Sequence, residues 1–130
     1  MSGTKSGVLD SNILIYCSKG QVKFQEIASH FDYLFVSVIT YMETLGYNFS
    51  NPDEKDLIEK MLNTLPIVQT DMGIANQVVA YRQKRKIKIP DAIILATAKK
   101  LNASIITVND GDFKGIDADV PLFVPKITAI

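Results

Sequence analysis

Residues 88–113, "KIPDAIILATAKKLNASIITVNDGDF", place an apolar helical pattern before a β-rich one, with carboxylates at both junctions. The run after Asp91 is apolar enough to predict a helix in the middle of the domain. Ser104 to Val108, "SIITV", predicts a buried strand, and Asp110 and Asp112 follow it. These acids either cap helices and form turns, or they share a site.

Strand-like and helix-like runs alternate along the rest of the chain. Short apolar or aromatic runs predict five strands: Gly7–Leu9, Tyr33–Val38, Ile67–Gln69, Ser104–Val108 and Pro121–Val124. Helical periodicity predicts four helices: Val22–Phe31, Asp53–Leu65, Met72–Lys86 and Ala92–Leu101. Because no tight hairpin signal lies between the strands, we expect an α/β layer fold with a mostly parallel sheet.

Length and composition indicate one ordered globule. The 130 residues, 47% of them hydrophobic, suit a single domain over 1–130. The only cysteine, Cys17, cannot form an intrachain disulfide, and no signal-peptide or membrane-spanning pattern is present in the sequence, so we expect a cytoplasmic location and no membrane partner. The 14 basic residues balance 14 acidic ones, so nucleic-acid binding would depend on a local patch.

Four acids fall where a parallel sheet would bring them together. Asp10 follows the first predicted strand, Glu43 lies shortly after the second, Asp91 opens the apolar helix and Asp112 follows the fourth strand. In an open parallel sheet, ligands bind beyond the carboxyl ends of the strands. We therefore expect these acids to converge at one edge.

Each acid also has a purely structural interpretation. Asp10 before "SNILIY" is typical of a helix N-cap or an Asx-turn. Thr40 and Glu43 form the Thr-x-x-Glu pattern of a capping box. Asp91 suits a cap or a first helical turn, and 109–111 (Asn-Asp-Gly) is an ordinary turn sequence. These separate interpretations do not predict that the acids gather at one edge.

Gathered carboxylates would repel one another. They would take up protons or recruit a hard divalent cation such as Mg²⁺ or Mn²⁺. His30 and Cys17 do not make a zinc site, and no Ser-His-acid triad has support in the sequence. Any catalysis should therefore depend on a metal ion.

Four motifs carry a resemblance to a known family: "VLDSNILIY", "SVITYMETLGY", the stretch around Asp91, and the closing "TVNDGDF". Together they resemble a PIN-domain ribonuclease, and most of all the VapC-like toxins of type II toxin–antitoxin systems. The resemblance covers nearly the whole chain. It implies a PIN-like three-layer fold with a central sheet of about five strands, an acidic pocket for one or two Mg²⁺ or Mn²⁺ ions, and endonucleolytic cleavage of RNA.

The resemblance also implies a role for individual residues. Metal-binding and catalytic roles fall to Asp10, Glu43, Asp91 and Asp112, and supporting roles to Ser11, Asn12, Thr107, Asn109 and Asp110. The fourth acid position stays open among Asn109, Asp110 and Asp112, and we favour Asp112. Hydrolysis by water would leave 5′-phosphate and 3′-hydroxyl ends.

The segment "RQKRKIK" just before Asp91 is a candidate RNA-binding surface. It contains the five cations Arg82, Lys84, Arg85, Lys86 and Lys88. They would contact RNA phosphates beside the site. Alternatively, cations at a helix C-terminus simply interact with the helix dipole and with solvent.

Alternative functions remain. A haloacid-dehalogenase-like phosphatase needs Asp-x-Asp where this chain has Asp10, Ser11 and Asn12, and a receiver domain needs Lys-Pro where it has Pro125-Lys126. A PIN fold that binds RNA or protein without cutting is the stronger rival. The resemblance implies three partners: an RNA substrate, an antitoxin protein and a second copy of the chain as a homodimer.

Overall fold

The structure, a computed structural model, describes residues 4–128. In that range the strands are β1 (Ser6–Leu9), β2 (Tyr33–Ser37), β3 (Ile67–Val68), β4 (Ser104–Ile106) and β5 (Leu122–Phe123). The helices are α1 (Ser11–Ser18), α2 (Phe24–Ala28), α3 (Val38–Leu45), α4 (Pro52–Thr64), α5 (Met72–Lys84) and α6 (Ile89–Leu101), and a 3-10 helix spans Asp110–Asp112. None of these helices combines the length and the apolar composition needed to cross a membrane.

The strands form one five-stranded sheet in the order β3-β2-β1-β4-β5. All four pairings are parallel, and Val8 at the centre is opposite Phe35 on one side and Ile105 on the other. The chain proceeds from β1 to β2 and β3 in one direction, whereas β4 lies on the other side of β1. The carboxyl ends of β1 and β4 therefore form the switch point at which open α/β sheets bind ligands.

Helices cover both faces of the sheet because alternate strand residues point to opposite sides. Val8 and Ile105 pack with the buried residues of α5 and α6. Their neighbours Leu9 and Ile106 pack with α1, α2 and α4 on the other face. All four of these strand side chains are fully buried. The predicted α/β three-layer architecture with a parallel central sheet is confirmed.

Polar side chains set where the helices begin and end. The Ser37 Oγ accepts a hydrogen bond from the Ile39 N–H at the start of α3, and the Asp71 Oδ1 accepts one from the Ile74 N–H at the start of α5. At the other end, α6 stops at Asn102, whose φ of 54° places it in the left-handed region that closes helices.

The predicted element bounds needed several corrections. The sequence patterns do not predict α1 and α3 as separate helices, and α2 is shorter than the predicted Val22–Phe31. Strand β2 ends at Ser37, one residue earlier than predicted, because Ser37 caps α3. Strand β4 ends at Ile106 and not at Val108, and the Thr107 hydroxyl that follows it donates to a carboxylate at the end of β1.

Candidate active site

Four carboxylates from four separate elements lie near the carboxyl edge of the sheet. Asp10 follows β1 and caps α1, Glu43 lies on α3, Asp91 lies in the first turn of α6, and Asp112 lies in the 3-10 helix after β4. The charges of the other three all act on Asp91 and raise its pKa. We call this group the acidic cleft.

Asp10 is held by hydrogen bonds on both carboxylate oxygens. Its Oδ1 accepts from the Ser11 N–H at 2.8 Å, and its Oδ2 accepts from the Thr107 hydroxyl at 2.8 Å and the Asn12 amide at 3.2 Å. Burial raises the pKa of Asp10 and outweighs the lowering by hydrogen bonds from Thr107 and Ser11, while the charge of Glu43 raises it further. Asp10 thus caps a helix and lies in the cleft, so its two interpretations are compatible.

Glu43 is joined to Asp10's helix by one short contact. The Ser11 Oγ donates to the Glu43 Oε1 at 2.6 Å. The capping-box interpretation is wrong, because α3 begins at Val38 with Ser37 as its cap and therefore includes Thr40 and Glu43. The Glu43 carboxylate is consequently not used at a helix terminus and stays at the exposed rim of the cleft.

The pKa of Asp91 shows the clearest effect of the crowded carboxylates. It is the third residue of α6, after the N-cap Lys88, and the dipole at a helix N-terminus would by itself lower its pKa. Burial, followed by the charges of Asp112, Asp10 and Glu43, instead raises the pKa of Asp91 to about 6, and Lys88 only partly opposes this. Asp91 therefore lies where a positive charge would be strongly favoured.

The three candidates for the fourth position differ in their contacts. The Asp110 carboxylate lies 3.8 Å from the Lys114 Nζ, in an i,i+4 ion pair. The charge of Asp112 acts on both Asp10 and Asp91. The Asn109 backbone N–H donates to the Thr107 hydroxyl at 3.0 Å. These contacts favour Asp112 for the cleft and Asp110 for a surface turn.

Asn12 and Thr107 connect the two strand ends. The Asn12 Oδ1 accepts from the Val108 N–H at 3.3 Å, and its amide nitrogen lies 3.4 Å from the Thr107 hydroxyl. Together with the Thr107–Asp10 bond, these contacts join α1 to the segment that leaves β4. The polar residues predicted to support the site thus hold its two central segments in register.

The donor set of the cleft suits a hard divalent cation. Among the ion pairs within residues 4–128, none includes Asp10, Glu43, Asp91 or Asp112. In the same range, no three His, Cys, Asp or Glu side chains already lie close enough together to hold an ion. What favours a cation is therefore the ligand type and the missing charge compensation: the cleft offers carboxylate oxygens, which Mg²⁺ and Mn²⁺ prefer, and none of them is paired with a cation of the described residues.

The basic segment adjoins this cleft. A groove of about 320 Å³ is lined by Lys86, Ile87, Lys88, Asp91, Gly111 and Asp112. A second concavity beside it is lined by the residues from Arg82 to Ile87. One guanidinium nitrogen of Arg82 donates to the Ile87 carbonyl at 2.5 Å, which stabilises the turn after α5. The structure thus brings Lys86 and Lys88 next to Asp91 and gives Arg82 a local structural contact.

Comparison with protein families identifies the fold. The family model of the PIN domain matches residues 7–119. The chain belongs to the PIN-domain family. This PIN domain also resembles solved structures whose names support the VapC-like resemblance stated from the sequence, which is confirmed.

A toxin–antitoxin complex from Klebsiella pneumoniae contains a chain 34% identical to this PIN domain, with 88% of this chain and 94% of that chain covered and a TM-score of 0.74. VapBC-1 from nontypeable Haemophilus influenzae is 28% identical over 90% and 96% of the two chains, with a TM-score of 0.71. DNA-bound VapBC from Salmonella typhimurium is 18% identical over 92% and 98%, with a TM-score of 0.77, and shows the shared fold alone. No curated protein sequence gives a significant match.

The family match removes the phosphatase and receiver alternatives. The structure also contains one residue group that the sequence did not predict, formed by Tyr81, Lys99 and Asp117. No local pattern singled it out, because its members are far apart in the sequence and Asp117 resembles an ordinary loop acid.

Proposed function

We propose that this PIN domain is an Mg²⁺- or Mn²⁺-dependent endoribonuclease that hydrolyses RNA phosphodiester bonds, and that it is the toxin of a toxin–antitoxin pair. The observation that carries the proposal is the acidic cleft itself. Four carboxylates lie at the switch point of the sheet without an ion-pair partner among the described residues, and the pKa of Asp91 is raised to about 6 by burial and by the other three acids.

Three of the acids would hold the ion, namely Asp10, Asp91 and Asp112. When bound, the ion supplies neutralisation of charge on the phosphate and lowers the pKa of water. Asp10 is suited to this role because hydrogen bonds fix both its oxygens, so little side-chain entropy is lost on binding.

Glu43 would orient the attacking water and accept its proton. Its Oε1 is occupied by the Ser11 hydroxyl at 2.6 Å, which leaves Oε2 for the water. Glu43 is exposed at the rim, where substrate and water enter. A carboxylate held by a neighbouring donor in this way is a suitable general base.

The basic segment would bind RNA phosphates on both sides of the cleaved bond. Lys86 and Lys88 line the same groove as Asp91 and Asp112, and Lys84 and Arg85 extend the positive surface away from it. Arg82 keeps other guanidinium donors for phosphate beyond its bond to Ile87. None of these five cations forms an ion pair within residues 4–128.

An antitoxin protein and a second copy of the chain are the partners we propose, in the cytoplasm. Support comes from the 34%-identical chain, which was solved as part of a toxin–antitoxin complex. The structure that contains the 28%-identical chain is named VapBC-1. Size-exclusion chromatography with light scattering, on the chain alone and after co-expression with a candidate antitoxin, tests both the homodimer and the antitoxin.

The first test is titration of Mn²⁺ by calorimetry, because it requires no knowledge of the RNA sequence. Saturable binding to the wild type that is lost in Asp91→Asn supports the proposal. Asp53→Asn is the matched control, since Asp53 also follows a proline in the first turn of a helix but lies on α4, outside the cleft. Equal binding by all three proteins would contradict the assignment of Asp91.

Product chemistry provides the second test. The proposed reaction uses water as the nucleophile, so a pooled RNA substrate should give 5′-phosphate and 3′-hydroxyl ends. Ligation of a 3′ adapter without prior phosphatase treatment detects the hydroxyl end. Products with 2′,3′-cyclic phosphates would show attack by the ribose hydroxyl and would overturn this mechanism.

A second candidate function is RNA or protein binding without cleavage. The separation of the carboxylates favours it, because no three of them within residues 4–128 lie close enough together to hold an ion. This candidate predicts RNA binding by the wild type that is unchanged by Mn²⁺, by chelator and by Asp91→Asn.

A further inference from the structure

A polar cluster of Tyr81, Lys99 and Asp117 joins α5, α6 and the segment after the 3-10 helix, and the chemistry proposed above does not use it. The Tyr81 hydroxyl donates to the Asp117 Oδ2 at 2.6 Å, and the Lys99 ammonium donates to the same oxygen at 2.8 Å. The Asp119 N–H donates to the other carboxylate oxygen at 3.0 Å. Tyr81 is 5% exposed and the Asp117 side chain 9%. Both oxygens of this carboxylate are therefore hydrogen-bonded.

The groove has two walls: the basic segment (residues 82–88) and the segment from the 3-10 helix to Asp117. The cluster connects these two walls. Tyr81 lies in the last turn of α5, directly before the basic segment. Asp117 lies on the segment that leaves the 3-10 helix containing Asp112. One hydrogen bond thus joins the element that carries the cations to the segment that carries the last acid.

One further contact makes the same connection. A carbon added at Gly115 would lie 3.5 Å from an Arg85 guanidinium nitrogen, so the basic segment lies against this loop. Gly115 has a φ of +76°, which favours glycine and allows the chain to turn there. The two walls are therefore in contact at Gly115 as well as at Asp117.

The hydroxyl of Tyr81 is not needed to bury the loop. Phe113, 2% exposed, and Val120, 6% exposed, already anchor both ends of the segment in the core that contains α5 and α6. A phenylalanine at position 81 would fill the same ring volume. What the hydroxyl adds is a directional bond to a buried charge, which restricts the sliding of one wall along the other.

We propose that Tyr81, acting through Asp117 and Lys99, is a positioning residue that holds Asp112 opposite the basic segment. The inference rests on the proposed function in one respect, the role of Asp112 in metal binding. Loss of the Tyr81 hydroxyl should weaken Mn²⁺ binding by about 10-fold, the lower end of the losses seen when outer residues that orient metal ligands are removed.

The test compares Tyr81→Phe with Tyr33→Phe, whose hydroxyl is on an exposed side chain at the opposite edge of the sheet. Hydrogen exchange of the metal-free proteins, read by mass spectrometry, should show faster exchange over residues 110–116 in Tyr81→Phe alone. Mn²⁺ calorimetry should show weaker binding in the same variant. In an Asp112→Asn background, Tyr81→Phe should have no additional effect on Mn²⁺ affinity.

The exchange experiment keeps this inference separate from the proposed function. If the wild type binds no Mn²⁺, the proposed function fails, but faster exchange over 110–116 still supports the positioning role and unchanged exchange overturns it. A lower melting temperature in Tyr81→Phe with unchanged exchange and unchanged Mn²⁺ affinity would show a purely structural role and would also overturn it. Additive losses with Asp112→Asn would contradict action through Asp112.

Discussion

Asp91 and Asp117 are both partly buried, yet their pKa values are shifted in opposite directions. Burial acts to raise the pKa of Asp117, but hydrogen bonds from Lys99 and Tyr81 outweigh it and hold this pKa below its ordinary value. At Asp91, burial and three neighbouring carboxylates act together and raise the pKa to about 6. Asp117 is stabilised as an anion by the fold, whereas Asp91 is not.

The difference distinguishes a structural acid from a functional one. Burial alone does not separate them, since both lie in a partly desolvated environment. Pairing with a cation separates them. Lys99 lies 2.8 Å from Asp117, whereas Lys86 and Lys88 line the groove beside Asp91 without forming an ion pair there. A cluster of carboxylates without compensation is the arrangement that a bound cation would stabilise.

RNA cleavage should show the largest contrast. Asp91→Asn should reduce the rate by roughly 100-fold or more, the loss expected when one electrostatic group of an active site is removed. Asp53→Asn, in the first turn of α4, should leave the rate within about 2-fold of the wild type, since loss of one favourable helix-dipole interaction is worth only a few tenths of a kcal/mol. The measurement is the initial rate on a pooled RNA substrate. A rate for Asp91→Asn close to that of the control would remove Asp91 from the mechanism.

The stability of the metal-free protein should respond most to Asp117. Asp117→Ala should lower the free energy of unfolding by about 2 kcal/mol, because hydrogen bonds to a charged group are lost and the Tyr81 hydroxyl is left buried without this acceptor. Asp119→Ala is the control: its side chain is 86% exposed and 3.6 Å from Lys99. Urea unfolding in EDTA measures both. Equal losses would show that Asp117 contributes no more than a surface ion pair.

Asp91→Asn should raise the free energy of unfolding at neutral pH, by less than Asp117→Ala lowers it. Because the folded-state pKa of Asp91 is raised to about 6, the folded state binds its proton more tightly than the unfolded state does, so stability is lost as pH rises through 6. The stability of Asp91→Asn relative to the wild type should be near zero around pH 4 and grow to about 1 kcal/mol at pH 7, after allowance for solvent screening.

Urea unfolding in EDTA at a series of pH values measures this difference. Asp117 should behave oppositely, because its pKa is lowered and the stability it contributes is lost as pH falls through that lowered value. A pH-independent effect of Asp91→Asn would show that Asp91 does not carry the charge crowding.

The basic segment should give the smallest effect. Lys88→Ala in the Asp91→Asn background should weaken RNA binding a few-fold and reduce the slope of log K against log salt by about 0.7, the value for one phosphate contact to a single strand. Fluorescence anisotropy with labelled RNA at several salt concentrations measures the slope. Lys60→Ala, an exposed lysine on α4, should leave it unchanged. An equal change in both variants would indicate a general charge effect.

Much of the fold could be predicted because its elements have clear local patterns. "SIITV" and "YLFVSV" predicted strands, and the apolar run after Asp91 predicted a helix inside the domain, as α6 proves to be. Helix α3 was harder because Val38 and Ile39 continue the β-branched pattern of β2. The helix begins there because the Ser37 side chain caps it. A serine at the end of a strand does not by itself predict a helix start.

The candidate site could be predicted in outline but not in its contacts. The positions of Asp10 and Asp91 relative to predicted strands and helices indicated that they would approach one another. The partners of Glu43 were not predictable, because its capping-box pattern competes with a contact to Ser11 from another helix. Asp117 gave no signal at all, since its partners Tyr81 and Lys99 lie on two different helices.

By itself the sequence determined the five strands, four of the six helices, the parallel sheet and the edge at which the acids lie, because these follow from hydrophobic periodicity and from the rule that ligands bind at carboxyl strand ends. Only the tertiary structure decided which carboxylates are compensated and which are not. Burial and hydrogen bonding depend on residues distant in the chain, as the bond from Thr107 to Asp10 shows across 97 positions. Local pattern does not contain that information, and the charge state of the cleft depends on it.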